Sequence, residues 1–186
     1  MANAHVERLD RKQAQLLVVD MQEKLLPSIA DHAAVMSQAE RMIRAATILQ
    51  LPITVSEQYP RGLGRTVPVI LAAAEGAARC EKLTFSFCAD PACRTRIVAL
   101  ERPQVVIVGI EAHVCVFQTA LDLLAMSLRP VVLADAVGSR RALDYSVALD
   151  GLRAAGVTVT TVESAIFQLL GEAGTDLFKQ MVPIVR

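Results

Sequence analysis

Apolar residues along this chain come in two alternating rhythms. Short dense runs recur at Leu16-Leu17-Val18-Val19, Ile53-Thr54-Val55, Val105-Val106-Ile107-Val108, Val131-Val132-Leu133 and Val157-Thr158-Val159. Each is short and rich in β-branched residues, as strands covered on both faces require. They predict strands over residues 15–20, 52–57, 105–109, 129–137 and 157–162, with a further extended segment over 81–87. Between them the spacing turns helical. Residues 33–49 carry Val35, Met36, Ala39, Met42, Ile43 and Ala46 on one side. Helices are also predicted over 69–74, from Asp90-Pro91 through 100, over 114–125, 141–155, 164–170 and 176–181. In the 141–155 helix, Leu143, Val147, Leu149 and Leu152 are expected on the inner side, with Gly156 as the stop. Residues 58–67, with Pro60, Gly62 and Gly64, read as loop. Strand alternating with helix argues for one α/β domain over 1–186: three α/β/α layers, Rossmann-like, around a mainly parallel sheet of about six strands.

The organising stretch runs from Val105 through Gly109 to Cys115, a buried strand, a turn and a cysteine opening a helix. The first N–H groups of a helix lack intrahelical partners and its dipole is positive there. Cys115 is therefore expected to have a lowered thiol pKa and enhanced nucleophilicity. In open parallel sheets, ligands bind beyond the carboxyl ends of the strands. Asp20 closes the first strand, Lys82 lies in the extended segment and Cys115 follows the central strand, so a base, a cation and a thiol fall at such ends.

Composition narrows the partners. Apolar residues make up 53% of the chain without any Trp, and nineteen basic residues balance nineteen acidic ones. No basic stripe stands out, so nucleic acid is not an expected partner. The longest apolar runs are too short to span a bilayer. The polar start, Met1 to Arg8, lacks the apolar core of a signal peptide, which makes the cytoplasm the expected location. The four cysteines have no C-x-x-C spacing and are expected as free thiols; Cys80, Cys88 and Cys93 read as structural.

Three motifs carry a family resemblance. Val19-Asp20-Met21-Gln22, Glu81-Lys82-x-x-Phe85-Ser86 and Gly109-Ile110-Glu111-Ala112-His113-Val114-Cys115-Val116 resemble the isochorismatase-like cysteine hydrolases, and in particular the isochorismatase-domain-containing proteins. Glu57-Gln58-Tyr59-Pro60-x-Gly62-Leu63-Gly64 and Glu163-Ser164-x-Ile166-Phe167-Gln168-Leu169-Leu170-Gly171 add to the likeness. The resemblance implies a triad of Asp20, Lys82 and Cys115. It implies oxyanion donors in the backbone N–H groups of Glu111 and Cys115, and a cis peptide at Ile110-Glu111. Gln22, Tyr59 and Phe85 are expected to line a substrate pocket.

The sequence departs from the family pattern at Ala112, where many members have Thr. It also lacks the Asp-x-His of the nicotinamidase branch. With only His5, His32 and His113 available, neither a metal nor another cofactor is expected. True isochorismatases replace the nucleophilic cysteine, so Cys115 points instead to a small molecule with an amide or related C–N bond as substrate. His113 is too close in sequence to Cys115 to serve it well as a base. The helix after Cys115 is apolar nearly all round, which predicts a homo-oligomer.

Two other readings remain beside the enzyme. One is a non-catalytic or regulatory oligomeric scaffold, for which sluggish alkylation of Cys115 would speak. The other is a redox role for Cys115, which requires a resolving cysteine.

Overall fold

The computed structural model describes residues 8–185, so the polar start of the chain and His5 lie outside the described residues. Six strands form one sheet: β1 (Ala14–Val19), β2 (Ile53–Gln58), β3 (Ala78–Lys82), β4 (Gln104–Ile110), β5 (Arg129–Gly138) and β6 (Thr158–Thr160). Every pairing is parallel, and the spatial order is β3-β2-β1-β4-β5-β6. The chain thus winds outward from β1 to β3, then crosses back to β4 on the other side of β1. The order reverses between β1 and β4, the point at which open parallel sheets place their ligand crevice, beyond the strand ends.

Both faces of the sheet are covered, because alternate side chains of each strand point to opposite layers. Leu16, Val18, Val106 and Val108 pack in one layer beneath α1 (His32–Ile48), α3 (Pro68–Ala73), α7 (Val162–Leu170) and α8 (Asp176–Val185). Leu17, Val19, Val105 and Ile107 pack in the other, beneath α4 (Pro91–Val98), α5 (Phe117–Ala125) and α6 (Ala142–Ala154). This is the expected three-layer α/β/α architecture.

Several local expectations are corrected. The third strand ends at Lys82 instead of running through Phe87; it is an edge strand of mixed polarity, Ala78-Arg79-Cys80-Glu81-Lys82, with no apolar run to mark it. Residues 58–67 are not all loop, since Pro60–Leu63 forms one helical turn, α2, entered through Tyr59 at φ 39°. On α6 the inner residues are Ala148, Leu149 and Leu152, while Leu143 and Val147 are 71% and 61% exposed. This helix has apolar residues on more than one side, and the sheet takes only one of them.

Where β1 meets β4, a glycine turns its backbone toward the neighbouring strand. Gly109 pairs with Val19 at φ 117°, and a Cβ there would fall on the Val19 carbonyl oxygen. Only glycine fits both the dihedral and the space. Gly109→Ala is expected to cost at least about 4 kcal/mol. A thermal melt should show a Tm lower by about 10 °C or more, and an unchanged Tm would contradict the close approach.

Candidate active site

Asp20 is the first residue beyond β1 and takes a left-handed turn at φ 50°. The turn is held by its own N–H, which donates to the Ser56 carbonyl at 3.2 Å, and by Gln22 N–H donating to the Asp20 carbonyl at 2.8 Å. The carboxylate is thereby aimed into the crevice, fully buried. Ser56 Oγ donates to Oδ1 at 2.6 Å, and Lys82 Nζ donates to Oδ2 at 2.7 Å.

Lys82, the last residue of β3, is also buried. Besides Asp20, its ammonium donates to Gln58 Oε1 at 2.8 Å, to the Phe85 carbonyl at 3.0 Å and to the Thr84 carbonyl at 3.2 Å. Burying two ions costs several kcal/mol each, and such a pair is tolerable only when hydrogen bonds satisfy the remaining donors and acceptors. That condition is met here.

Cys115 does not open the α-helix as the sequence suggests. Residues Ala112–Val116 form a wide π-type turn in which the Glu111 carbonyl accepts from both Val114 N–H and Val116 N–H at 3.1 Å, and α5 begins only at Phe117. Cys115 is 5% exposed, with Asp20 and Lys82 close enough for their charges to act on its thiol. The expected acid shift is reversed. Burial and the negative charge of Asp20 push the thiol up to about 12, against the opposing pull of the Lys82 ammonium and the Glu111 N–H. At rest this is a protonated thiol beside a carboxylate. Slow alkylation therefore says nothing about whether the site is catalytic.

Glu111 directs its N–H at the sulfur, across the cis peptide Ile110-Glu111. Its carboxylate is held away by Arg140, whose Nε and Nη2 donate to Oε2 and Oε1 at 3.0 and 2.9 Å. The His113 ring is engaged with Ser139 Oγ at 3.0 Å. Ala112, at the position where the resemblance expects Thr, is buried in the apolar layer with Cys115.

The three residues named for the pocket fall in different settings. Gln22 is buried with its amide spent on backbone: Nε2 donates to the Gln58 and Gly64 carbonyls, and Oε1 accepts from Gln58 N–H. Tyr59 and Phe85 are 50% and 55% exposed. A cavity of about 380 Å³ is lined by Tyr59, Pro60, Arg61, Lys82, Leu83 and Thr84; of the three residues named for the pocket it takes in only Tyr59, and its lining reaches Lys82 but not Asp20 or Cys115.

The sequence reading missed Ser56, Gln58 and Arg140. The first two were accessible in principle, because they stand two apart on β2 and so share the face that meets Asp20 and Lys82. Arg140 carried no such signal. Glu57, on the opposite face of β2, anchors the rim loop through Thr66 and Arg65. Burial would raise its pKa, but hydrogen bonds from Thr66 and Arg65 and the Arg65 charge outweigh that and hold it low. Among the described residues, no group of three or more His, Cys, Asp or Glu side chains is placed to hold a metal, and no helix is long and apolar enough to cross a membrane.

Comparison with known proteins gives a consistent result. The model of the Isochorismatase domain matches residues 14–164. The zebrafish (Danio rerio) isochorismatase domain-containing protein 2 is 39% identical over 179 residues, covering 96% of this chain and 89% of that protein. A solved structure named as the MAR1 ribonuclease of Caenorhabditis elegans superposes with a TM-score of 0.91 at 38% identity, covering 96% of this chain and 92% of that one. The YcaC gene product of Escherichia coli, described as an octameric hydrolase of unknown specificity, shares the fold with a TM-score of 0.89 at 23% identity, covering 96% and 93%.

The raised thiol sets a testable pH dependence. Below about 12 the sulfur holds its proton, so alkylation of Cys115 by iodoacetamide at pH 8 should be slower than for an ordinary thiol, whose pKa is about 8.5. The rate should climb through pH 9 to 11 without a plateau. Asp20→Asn removes the charge that disfavours the thiolate and should speed alkylation at pH 8, by roughly tenfold for each pKa unit recovered. A plateau reached by pH 8 in the wild type would contradict this assignment.

Proposed function

The chain belongs to the isochorismatase family, and from that premise we propose that it is a cysteine hydrolase that cleaves a small amide or related C–N bond through a covalent acyl-enzyme. The observation that carries this reading is the convergence of three groups. Asp20 and Lys82 form a buried ion pair at 2.7 Å, and the buried Cys115 thiol lies within reach of both charges.

In this reading Cys115 Sγ attacks the substrate carbonyl while its proton passes to Asp20, already in place as general base. The Lys82 ammonium offsets the charge of the carboxylate. The developing oxyanion faces the N–H groups of Glu111 and Cys115, and Arg140 keeps the Glu111 carboxylate from turning toward it. Asp20 then returns the proton to the leaving nitrogen, and water clears the thioester. No metal or other cofactor takes part. Tyr59 and Phe85, half-exposed at the rim, offer apolar surface to the substrate, while Gln22 holds the loop behind them.

The ribonuclease name of the nematode relative is not carried over. A formal net charge of zero supplies none of the basic footprint that a phosphate backbone calls for. We further propose a single hydrolase domain that acts in the cytoplasm and assembles as a homo-oligomer. Leu143 and Val147, one turn apart on α6 and both exposed, supply apolar surface that a second copy would cover. The octameric assembly described for the YcaC gene product is in line with this. A scaffold without activity is the competing reading, and the buried ionic site weighs against it.

Ammonia release should be measured over a panel of small primary amides with wild type and Cys115→Ala. We expect release by the wild type, a drop of at least about a thousandfold in the variant, and an acyl adduct on Cys115 after rapid quenching. Equal release by both would remove covalent catalysis, and release by neither would favour the scaffold.

A further inference from the structure

All four cysteines are free thiols, and two of them outside the site just described meet each other. Cys80, on β3, is half-buried and packs against the apolar layer beneath α4, and Cys93, in the first turn of α4, is 1% exposed within that layer. β3 and α4 pack directly together. Cys93 Sγ lies 3.9 Å from the carbonyl oxygen of Glu81, the residue next to Cys80, so the Cys93 side chain reaches the stretch of β3 that carries Cys80. A disulfide between them requires Cα atoms about 4.4–6.8 Å apart.

The surroundings of the two sulfurs differ. Cys80 is half-buried, within reach of a dissolved oxidant, whereas Cys93 is 1% exposed. The neighbouring Cys93 and the charge of Arg96 lower the Cys80 thiol, while the neighbouring Cys80, burial and Asp90 hold the proton on Cys93. Asp90 caps α4, accepting from Cys93 N–H at 3.1 Å. Cys80 is thus the sulfur placed to meet an oxidant and Cys93 the one placed to resolve it, with a carboxylate at hand to take its proton.

We propose that Cys80 and Cys93 form an oxidisable dithiol that a hydroperoxide converts into a disulfide joining β3 to α4. The Cys80 thiolate attacks a peroxide oxygen, the O–O bond breaks, and Cys80 becomes a sulfenic acid as hydroxide or alkoxide leaves and is protonated. Cys93 then gives its proton to Asp90 and attacks the Cys80 sulfur. The S–O bond breaks, and the departing hydroxide leaves as water after taking that proton. Overall the two thiols lose two hydrogens and the peroxide is reduced by two electrons. The linkage does not depend on the hydrolase reading. It would lie two residues from Lys82 on the same strand.

The test treats the intact protein with hydrogen peroxide, blocks remaining thiols with N-ethylmaleimide and maps the peptides. We expect two of the four thiols to be lost, Cys88 and Cys115 to remain alkylatable after unfolding, and a peptide pair joined between Cys80 and Cys93 and lighter by two hydrogens. In Cys93→Ser the resolving sulfur is gone, so dimedone should capture a sulfenic acid at Cys80 that the wild type does not accumulate. Oxidation that falls on other cysteines first would overturn the proposal. So would a Cys80 that reacts while Cys93 stays free in the wild type.

Discussion

The site proposed for catalysis is built on an ion pair kept entirely out of water. Asp20 and Lys82 come from strands on either side of β2, and neither side chain reaches solvent. Isolated, each charge would cost several kcal/mol to bury, and removing one partner of such a pair typically costs 3–5 kcal/mol. The fold meets this by giving each ion several hydrogen bonds. Lys82 finds two side-chain and two main-chain acceptors, while Asp20 receives Ser56 and Lys82. The segment supplying the two carbonyls is itself tied to α5, through Ser86 Oγ donating to Asp122 at 2.6 Å and Phe87 N–H donating to Thr119 Oγ1 at 2.9 Å. The helix that follows Cys115 therefore also fixes the cradle for Lys82.

Burial and one member of the pair explain why the thiol is held protonated. A helix N-terminus acts on a sulfur through partial charges, whereas burial strips the thiolate of water and Asp20 adds a full negative charge in a site that water cannot screen. Together these outweigh the Lys82 ammonium. On the proposed function, nucleophilicity would be generated as substrate engages, by proton transfer to the carboxylate beside the thiol.

This contrast marks what could be read from the sequence. The sheet was legible because its buried strands are dense apolar runs, and Asp20 and Cys115 were legible because they stand at the ends of two of them. Lys82 was found through its motif although its strand was misplaced, since β3 is an edge strand without an apolar core. The direction of the Cys115 shift was not legible, because it depends on burial and on a carboxylate far away in sequence. Arg140 escaped for the same reason, its role arising only where the loop after β5 meets Glu111. Leu143 and Val147 misled because apolar spacing reveals that a helix has a greasy side, not which of two such sides meets the sheet.

The clamp on Lys82 has one consequence for how such a protein can change. Half of its acceptors are carbonyl oxygens of Thr84 and Phe85, groups that every amino acid carries. The outward-facing side chains of Leu83 and Phe85, 74% and 55% exposed, can be exchanged while the atoms that hold the ammonium stay as they are. On the proposed function, specificity and reactivity would be written in separate parts of one short segment, and selection could redraft the rim without rebuilding the engine beneath it.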